Sequence, residues 1–259
     1  MSFDMAQYNS VVDGLEKFFV KIDNGITFQV PNARDSALDL PYVRLIPAVQ
    51  RMVEVASGKI IEICQWIWEK IKEIYHGIRA PYEMHLRSKD WADVRDSVNG
   101  VKQALDPSNV EALRRWEGAA RTSYMQTCMS QSGAAGTFSD IAEKARSAMV
   151  DAAVGGVAFY AAILAACASF LVGLARAIGE LLSGIGAGVS VADIAATSGM
   201  TLTTATGACV ALVTFLGAQA KAIGDIDRSF PDGRWPDSQA TSFNDASVEG
   251  DDKSSWKIA

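Results

Sequence analysis

Two long stretches without a charged side chain constrain what this chain can fold into. Residues 152–175 form an uncharged run of 24 residues, and residues 194–220 form a second run of 27. A helix needs roughly 20 apolar residues to span the hydrocarbon core of a bilayer, so both runs are long enough. Both are rich in Ala, Gly and Thr rather than Leu. This composition leaves three interpretations open: a buried core, a permanent membrane span, or a surface for conditional insertion or oligomer contact.

Small residues recur at helical spacing within both runs. Such ladders allow two helix backbones to approach closely, in a membrane or in a soluble bundle. The Gly-rich stretch 184–188 between the runs predicts the turn of an apolar helical hairpin. The candidate membrane or oligomer contacts are Ala158, Ala162, Ala166, Gly173, Gly199, Thr203, Gly207 and Ala211.

The other periodic segments also have the spacing of amphipathic helices. Apolar residues recur every three or four positions from Pro47 to Gly77, and helices are also predicted for 5–22 and 81–105. Residues 26–46 are interrupted by prolines and are predicted to form a connector. The predicted fold class is all-α: an elongated helical hairpin or bundle with an Ala/Gly-rich apolar helical hairpin and a disordered acidic C-terminal tail.

This organisation predicts four segments. N-terminal helices occupy residues 1–80, a helical hairpin 81–150, the apolar hairpin 151–224 and the acidic tail 225–259. The tail contains eight acidic and four basic residues, so its net charge of −4 supplies most of the −6 of the whole chain. A segment so polar and poor in aliphatic residues is expected to be disordered, above all from residue 238 onward.

Local signals predict where the helices of the 81–150 hairpin begin and end. Asp106 and Pro107 break the first helix, and Ser108 with Glu111 has the spacing of a capping box. This signal would place Trp116 inside the second helix or after a short turn-like helix. Glycines at 133–136 are expected to loosen that helix before a further start signal at 137–140.

Several functional classes lack their sequence signals. The net charge of −6, with no basic stripe, argues against nucleic-acid binding. The only histidines, His76 and His85, are not in a metal-binding spacing, and neither a nucleophile elbow nor a phosphate-binding loop is present. We therefore expect no enzymatic activity, no metal and no cofactor.

Four cysteines lie far apart along the chain without a Cys-x-x-Cys pair. This spacing is not typical of a zinc site, and free cysteines are commonly buried as small apolar residues. A bridge between Cys167 and Cys209 is an alternative if the two apolar helices pair. The amino terminus carries an acid where a secretory signal peptide needs basic residues, so a cleaved signal is not expected.

Trp116-Glu117-Gly118, followed by Ala119, Ala120 and Tyr124, lies within the 81–150 segment. With the helical context, this pattern resembles the WXG-motif family of small helical proteins exported by type VII (ESX) secretion systems of actinobacteria and related bacteria. The resemblance covers roughly Pro81 to Met149. It implies that Trp116 and Gly118 lie at or near the bend of the hairpin and that Tyr124 holds the hairpin together. Trp116, Gly118 and Tyr124 are the residues predicted for partner and secretion recognition.

The resemblance also implies a location and partners. The protein would be secreted or displayed at the cell surface without a cleaved signal peptide, and would bind a helical WXG-type partner, or itself, and the type VII machinery. In that family the Trp-x-Gly step is paired with a Tyr followed four residues later by Asp or Glu. None of the six tyrosines meets that spacing, so a partner would supply it. Alternative interpretations are a membrane-active or pore-forming protein that inserts the 152–220 hairpin, and a soluble helical scaffold with an accidental Trp-x-Gly match.

Overall fold

The structure, a computed structural model, describes residues 2–227 and their side chains, except the side chains at 120, 222, 223 and 225–227. This part of the chain is all-α and contains no strand, as the sequence predicts. The predicted tail from residue 228 onward lies outside the described residues. The helices are α1 (Met5–Asn24), α2 (Val30–Leu38), α3 (Pro41–Leu45), α4 (Pro47–Tyr75), α5 (Ala80–Ala104), α6 (Ala112–Arg115), α7 (Ala119–Leu182) and α8 (Ala187–Asp227), with a π-helical segment, Gly25–Gln29, between α1 and α2.

The amphipathic helices predicted from periodicity are confirmed, but the predicted connector 26–46 is wrong. Pro31, Pro41 and Pro47 each occupy the first turn of a helix. A proline in the first turn loses no helical hydrogen bond, and its fixed φ suits the helix. These prolines therefore start α2, α3 and α4 rather than interrupting structure.

A second correction concerns residues 133–140. The structure shows α7 continuing through this stretch without a break, so neither the predicted loosening nor the new helix start is present. The Thr137 hydroxyl does not cap a helix; it donates to the Gly133 carbonyl within α7, 3.2 Å away. Start signals made of Thr and Asp are weak where the flanking turns already continue the helix.

The described residues divide into two compact units. The first, which we call the core unit, comprises Ser2–Tyr82 and Ala153–Phe215. Its interior is formed by apolar side chains of α1, α4 and the second half of α7, with Phe18 and Phe170 in an edge-to-face contact at 6.5 Å. Tyr160 also donates a hydrogen bond to the Ile74 carbonyl (3.2 Å), which fixes α7 beside the end of α4.

The second unit, which we call the corner unit, comprises Glu83–Ala152 and the end of α8 from Leu216. Within it α5 and the first part of α7 run antiparallel. Arg95 forms an ion pair with Glu143 (2.8 Å), and Ser132 donates to the Lys102 carbonyl (3.1 Å). As residue numbers rise along α5 they fall along α7, which is the pairing of a helical hairpin.

The thermal stability of the corner unit should depend on pH through Glu143. Hydrogen bonds from Arg146 and then Arg95 stabilise its carboxylate and lower the pKa to about 2. A carboxyl group whose pKa is lower in the folded state than in the unfolded state stabilises the fold when it is ionised. This stabilisation is complete at pH values above the unfolded-state pKa and is lost as the pH falls toward the folded-state pKa. Wild-type protein should therefore lose thermal stability as pH falls from about 4.5 to about 2, and Glu143→Gln should flatten this dependence.

The measurement is thermal unfolding followed by circular dichroism across that pH window. Asp90→Asn is the matched control, because Asp90 pairs with Arg87 on the exposed surface of α5, the helix that also contains Arg95, and such pairs contribute little. An unchanged pH dependence in Glu143→Gln would contradict the assignment.

Candidate functional site: the Trp116–Gly118 corner and the apolar helices

The segment between α5 and α6 is held by hydrogen bonds from side chains to the backbone. The Asp106 carboxylate accepts from the Ser108 amide (2.9 Å) and the Ser108 hydroxyl (2.5 Å), and Asn109 donates to the Gln103 carbonyl (2.9 Å). The predicted capping box is therefore wrong. Ser108 is engaged by Asp106, and Glu111 forms an ion pair with Arg115 instead of capping a helix.

Trp116 and Gly118 form the link between α6 and α7. Trp116 ends α6 in an extended conformation (φ −97°, ψ 151°), and Gly118 has φ +81°, in the left-handed region. A residue with a Cβ is strained at this φ, whereas glycine is not. Gly118 therefore allows the chain to turn from α6 into α7. We call residues 116–118 the corner. Trp116 thus directly follows the short helix α6, which is the second of the two predicted placements, and does not lie inside α7.

Two arginine side chains near the corner donate hydrogen bonds to backbone carbonyls. Arg121 Nε, in the first turn of α7, donates to the Leu113 carbonyl (2.8 Å), and Arg114 donates to the Ser108 carbonyl (3.0 Å). Leu113 is buried, so its carbonyl anchors Arg121 to the interior of the unit. The bond from Arg121 satisfies a carbonyl of the short helix α6, which has few helical partners of its own, and the bond from Arg114 holds the segment before α6.

Tyr124 lies one turn into α7 and contacts the corner. Its ring is 5.5 Å from the ring of Trp116, and its side chain is hydrogen-bonded to the Cys128 thiol. Partial burial, together with Cys128, raises the pKa of Tyr124. The structure therefore brings together the three residues predicted for recognition, and about one third of Trp116 (37%) is accessible to solvent.

A groove of about 820 Å³ runs beside the corner. Its lining combines apolar and polar residues: Pro107, Leu113, Trp116, Gly118 and Met125 together with Ser108, Arg114, Glu117, Arg121 and Thr122. A concave surface with an aromatic ring, aliphatic side chains and guanidinium groups suits a protein segment better than a small polar substrate.

The small-residue ladder of α7 is partly buried. Ala166 and Gly173 are buried, Ala162 is half-buried and Ala158 is exposed. At Gly173 a Cβ would lie 2.5 Å from Thr197 Oγ1 of α8, so this glycine allows the two helices to approach closely. The Thr201 hydroxyl donates to the Thr197 carbonyl (2.9 Å) and lies 3.4 Å from the Ala166 carbonyl.

The ladder of α8 faces away from α7. Gly199, Thr203, Gly207 and Ala211 are all exposed, and the contact with α7 is made by a different face of α8 that contains Ile194, Thr197 and Thr201. The two predicted ladders therefore do not pack against each other. The exposed ladder lies among large apolar side chains that are also exposed: Met200 (63%), Val210 (61%) and Val213 (70%).

All four cysteines are free thiols, so the alternative of a bridge between Cys167 and Cys209 is not realised. Cys64, Cys128 and Cys167 are buried, as predicted for small apolar residues, and burial raises the pKa of Cys64 to about 12. Within residues 2–227 no group of three or more His, Cys, Asp or Glu side chains is arranged to hold a metal ion.

Sequence reasoning missed Leu113, Arg114 and Arg121 as residues that support the corner. The bond from Arg121 to the Leu113 carbonyl crosses the non-helical link between α6 and α7, so the periodicity of a single helix does not predict it. Comparisons with protein-family models, with curated proteins and with solved structures found no match.

The corner conformation can be tested with a pair of glycine substitutions. Gly118→Ala meets no atom within 4 Å, so its cost is conformational and should be about 1 kcal/mol of unfolding free energy. Gly133→Ala, in the interior of α7 and equally unobstructed, should stabilise by about 0.5–1 kcal/mol. The measurement is unfolding in denaturant. Effects of the same sign at both positions would show that Gly118 does not need a positive φ.

Proposed function

We propose that this protein is a non-catalytic type VII secretion substrate or component, recognised at the Trp116–Gly118 corner. The observation that carries the proposal is the position of Trp116 and Gly118 in a non-helical link that opens α7, beside the antiparallel pair of α5 and α7. The resemblance to the WXG-motif family implies this position for both residues. An exposed tryptophan next to a conformationally fixed glycine is a surface that a partner can recognise.

The proposed mode of action is binding by protein partners. The guanidinium groups of Arg114 and Arg121 bond to backbone carbonyls near the corner, which restrains the backbone that carries Trp116 before any partner binds. A rigid aromatic side chain loses little conformational entropy on binding. The partner is a helical WXG-type protein or a second copy, and it supplies the Tyr and acidic residue that this chain lacks at the required spacing.

Export is tested by separating culture supernatant, membrane and cytosol of the native host, with the type VII ATPase intact or disabled. Wild-type protein should reach the supernatant or cell surface only when the ATPase is active. Trp116→Ala should reduce export by at least about tenfold, the usual effect of truncating a central aromatic contact. Trp66→Ala is the matched control, because Trp66 is similarly exposed (45%) but lies on α4.

Retention of the wild-type protein in the cytosol with an active ATPase would exclude the export proposal. Equal export of wild-type and Trp116→Ala protein would exclude the corner as the recognition site. Circular dichroism of the purified variants excludes unfolding as the cause of a loss.

A second candidate function is association with a membrane through the 152–220 hairpin. Helices α7 and α8 are both long and apolar enough to cross a bilayer. Half of the most apolar stretch of α7 is buried in protein, but only 11% of that of α8 is buried. An exposed, uncharged helix face of this length favours a lipid environment or a second copy over water.

This second candidate is tested by Ala211→Asp on the exposed face of α8. A charge in the middle of a bilayer costs roughly 3 kcal/mol, so the variant should insert about a hundredfold less well. Insertion into vesicles is measured by protection of α8 from protease. Val20→Asp, at another exposed position, on α1, should insert as wild type does. Equal protection of Ala211→Asp would contradict membrane insertion of α8.

A further inference from the structure

We propose that an aliphatic tip on the core unit makes the first contact of this protein with a lipid bilayer. The tip consists of Leu45 and Ile46, at the junction of α3 and α4, and of Leu182, Ile185 and Val189, around the turn between α7 and α8. This inference rests on the second candidate function and adds to it the surface that binds lipid before any helix inserts.

The two segments of the tip are held side by side. Tyr42 on α3 donates a hydrogen bond to the Ser183 carbonyl in the turn. Gly184 in this turn has φ +69°. A Cβ at Gly184 would lie 2.7 Å from Val43 Cγ2, so the turn packs closely against α3. On the other side of the junction Met52 Sδ lies 3.7 Å from the Cβ position of Gly188. The tip is therefore formed by two chain segments that contact each other, and it is not one face of a single helix.

Every tip side chain is left open to solvent. Leu45 is 80% exposed and Ile185 is 72% exposed. The remaining members, Ile46, Leu182 and Val189, are 47%, 44% and 57% exposed. No charged residue lies in 45–50 or 181–192, so the tip contains only uncharged side chains. Adjacent exposed aliphatic groups of this kind mark surfaces that contact a partner or a membrane.

The distances from the tip to Arg176 on α7 and to Asp193 on α8 fit the edge of a bilayer. Arg176 lies six residues before Leu182, and Asp193 lies four residues after Val189. These separations correspond to roughly 9 and 6 Å along a helix, and shallow insertion of apolar groups reaches about 5–10 Å below the headgroups. Both charges would then lie at headgroup level. Glu180 lies within this depth, but its Oε2 is buried in the protein.

Continuity with α8 favours lipid over a protein partner. The tip leads into the uncharged run 194–220, whose 27 residues are more than a bilayer span needs. A protein interface does not require an uncharged stretch of this length. The charge nearest Leu45 is that of Arg44, which is paired with Asp39 (2.5 Å), so binding should depend on apolar contact rather than on anionic lipid.

The experiment is flotation of the full chain with zwitterionic phosphatidylcholine vesicles, at low and at high salt. Wild-type protein should float with the vesicles to the same extent in both. The double substitution Leu45→Glu with Ile185→Glu should reduce binding by at least about tenfold, because two charges replace the most exposed apolar groups. Val20→Glu, with 70% exposure on α1, is the matched control and should bind as wild type.

The outcomes separate this inference from the proposal on which it rests. If wild-type protein does not bind vesicles, both fail. If the tip variant binds normally while Ala211→Asp is not inserted, the tip inference fails and membrane insertion of α8 stands. If binding to the zwitterionic vesicles is lost at high salt, the apolar tip is not the contact. If ultracentrifugation without lipid shows self-association that the tip variant abolishes, and wild type does not float, a second copy covers the tip and the inference is wrong.

Discussion

The packing of the second half of α7 against α1 and α4 is the interaction on which the core unit depends. Phe170 and Ile163 are fully buried in it, and a Cβ at Gly14 of α1 would lie only 2.6 Å from the Leu164 side chain, so α1 and α7 are in close contact. Interior packing at this density leaves little space for rearrangement. One side of α7 is thus buried in the core. Its other contact is with α8, most of which is exposed to solvent.

Much of the helical organisation could be predicted from sequence, because amphipathic periodicity reports burial directly. The predicted helix from Pro47 to Gly77 corresponds to α4, and Cys64, Ile67 and Ile71 are buried on it. The connector 26–46 was mispredicted because proline was interpreted only as a helix breaker, whereas Pro31 and Pro41 lie in first turns. A proline signal by itself does not distinguish the start of a helix from its interruption.

The candidate sites could be predicted only in part, for different physical reasons. The corner residues Trp116, Gly118 and Tyr124 carry a sequence pattern, but the bond from Arg121 to the Leu113 carbonyl depends on the turn that Gly118 makes. The tip has no sequence signal at all. Leu45 and Ile185 look like core residues in the sequence, and only the arrangement of α3 and of the turn before α8 leaves them uncovered.

The threonines of α8 explain how one surface can be compatible both with water and with lipid. Thr203 and Thr214 donate their hydroxyl hydrogens to carbonyls four residues earlier, Gly199 and Val210, at 2.9 Å in both cases. A hydroxyl satisfied by its own helix needs no water when it enters an apolar phase, yet it retains lone pairs that water can solvate. Together with Ala and Gly, such residues make the exposed face far less hydrophobic than a Leu-rich span. A folded chain with this face could remain in solution during export and bind lipid afterwards, so the two proposed functions do not exclude each other.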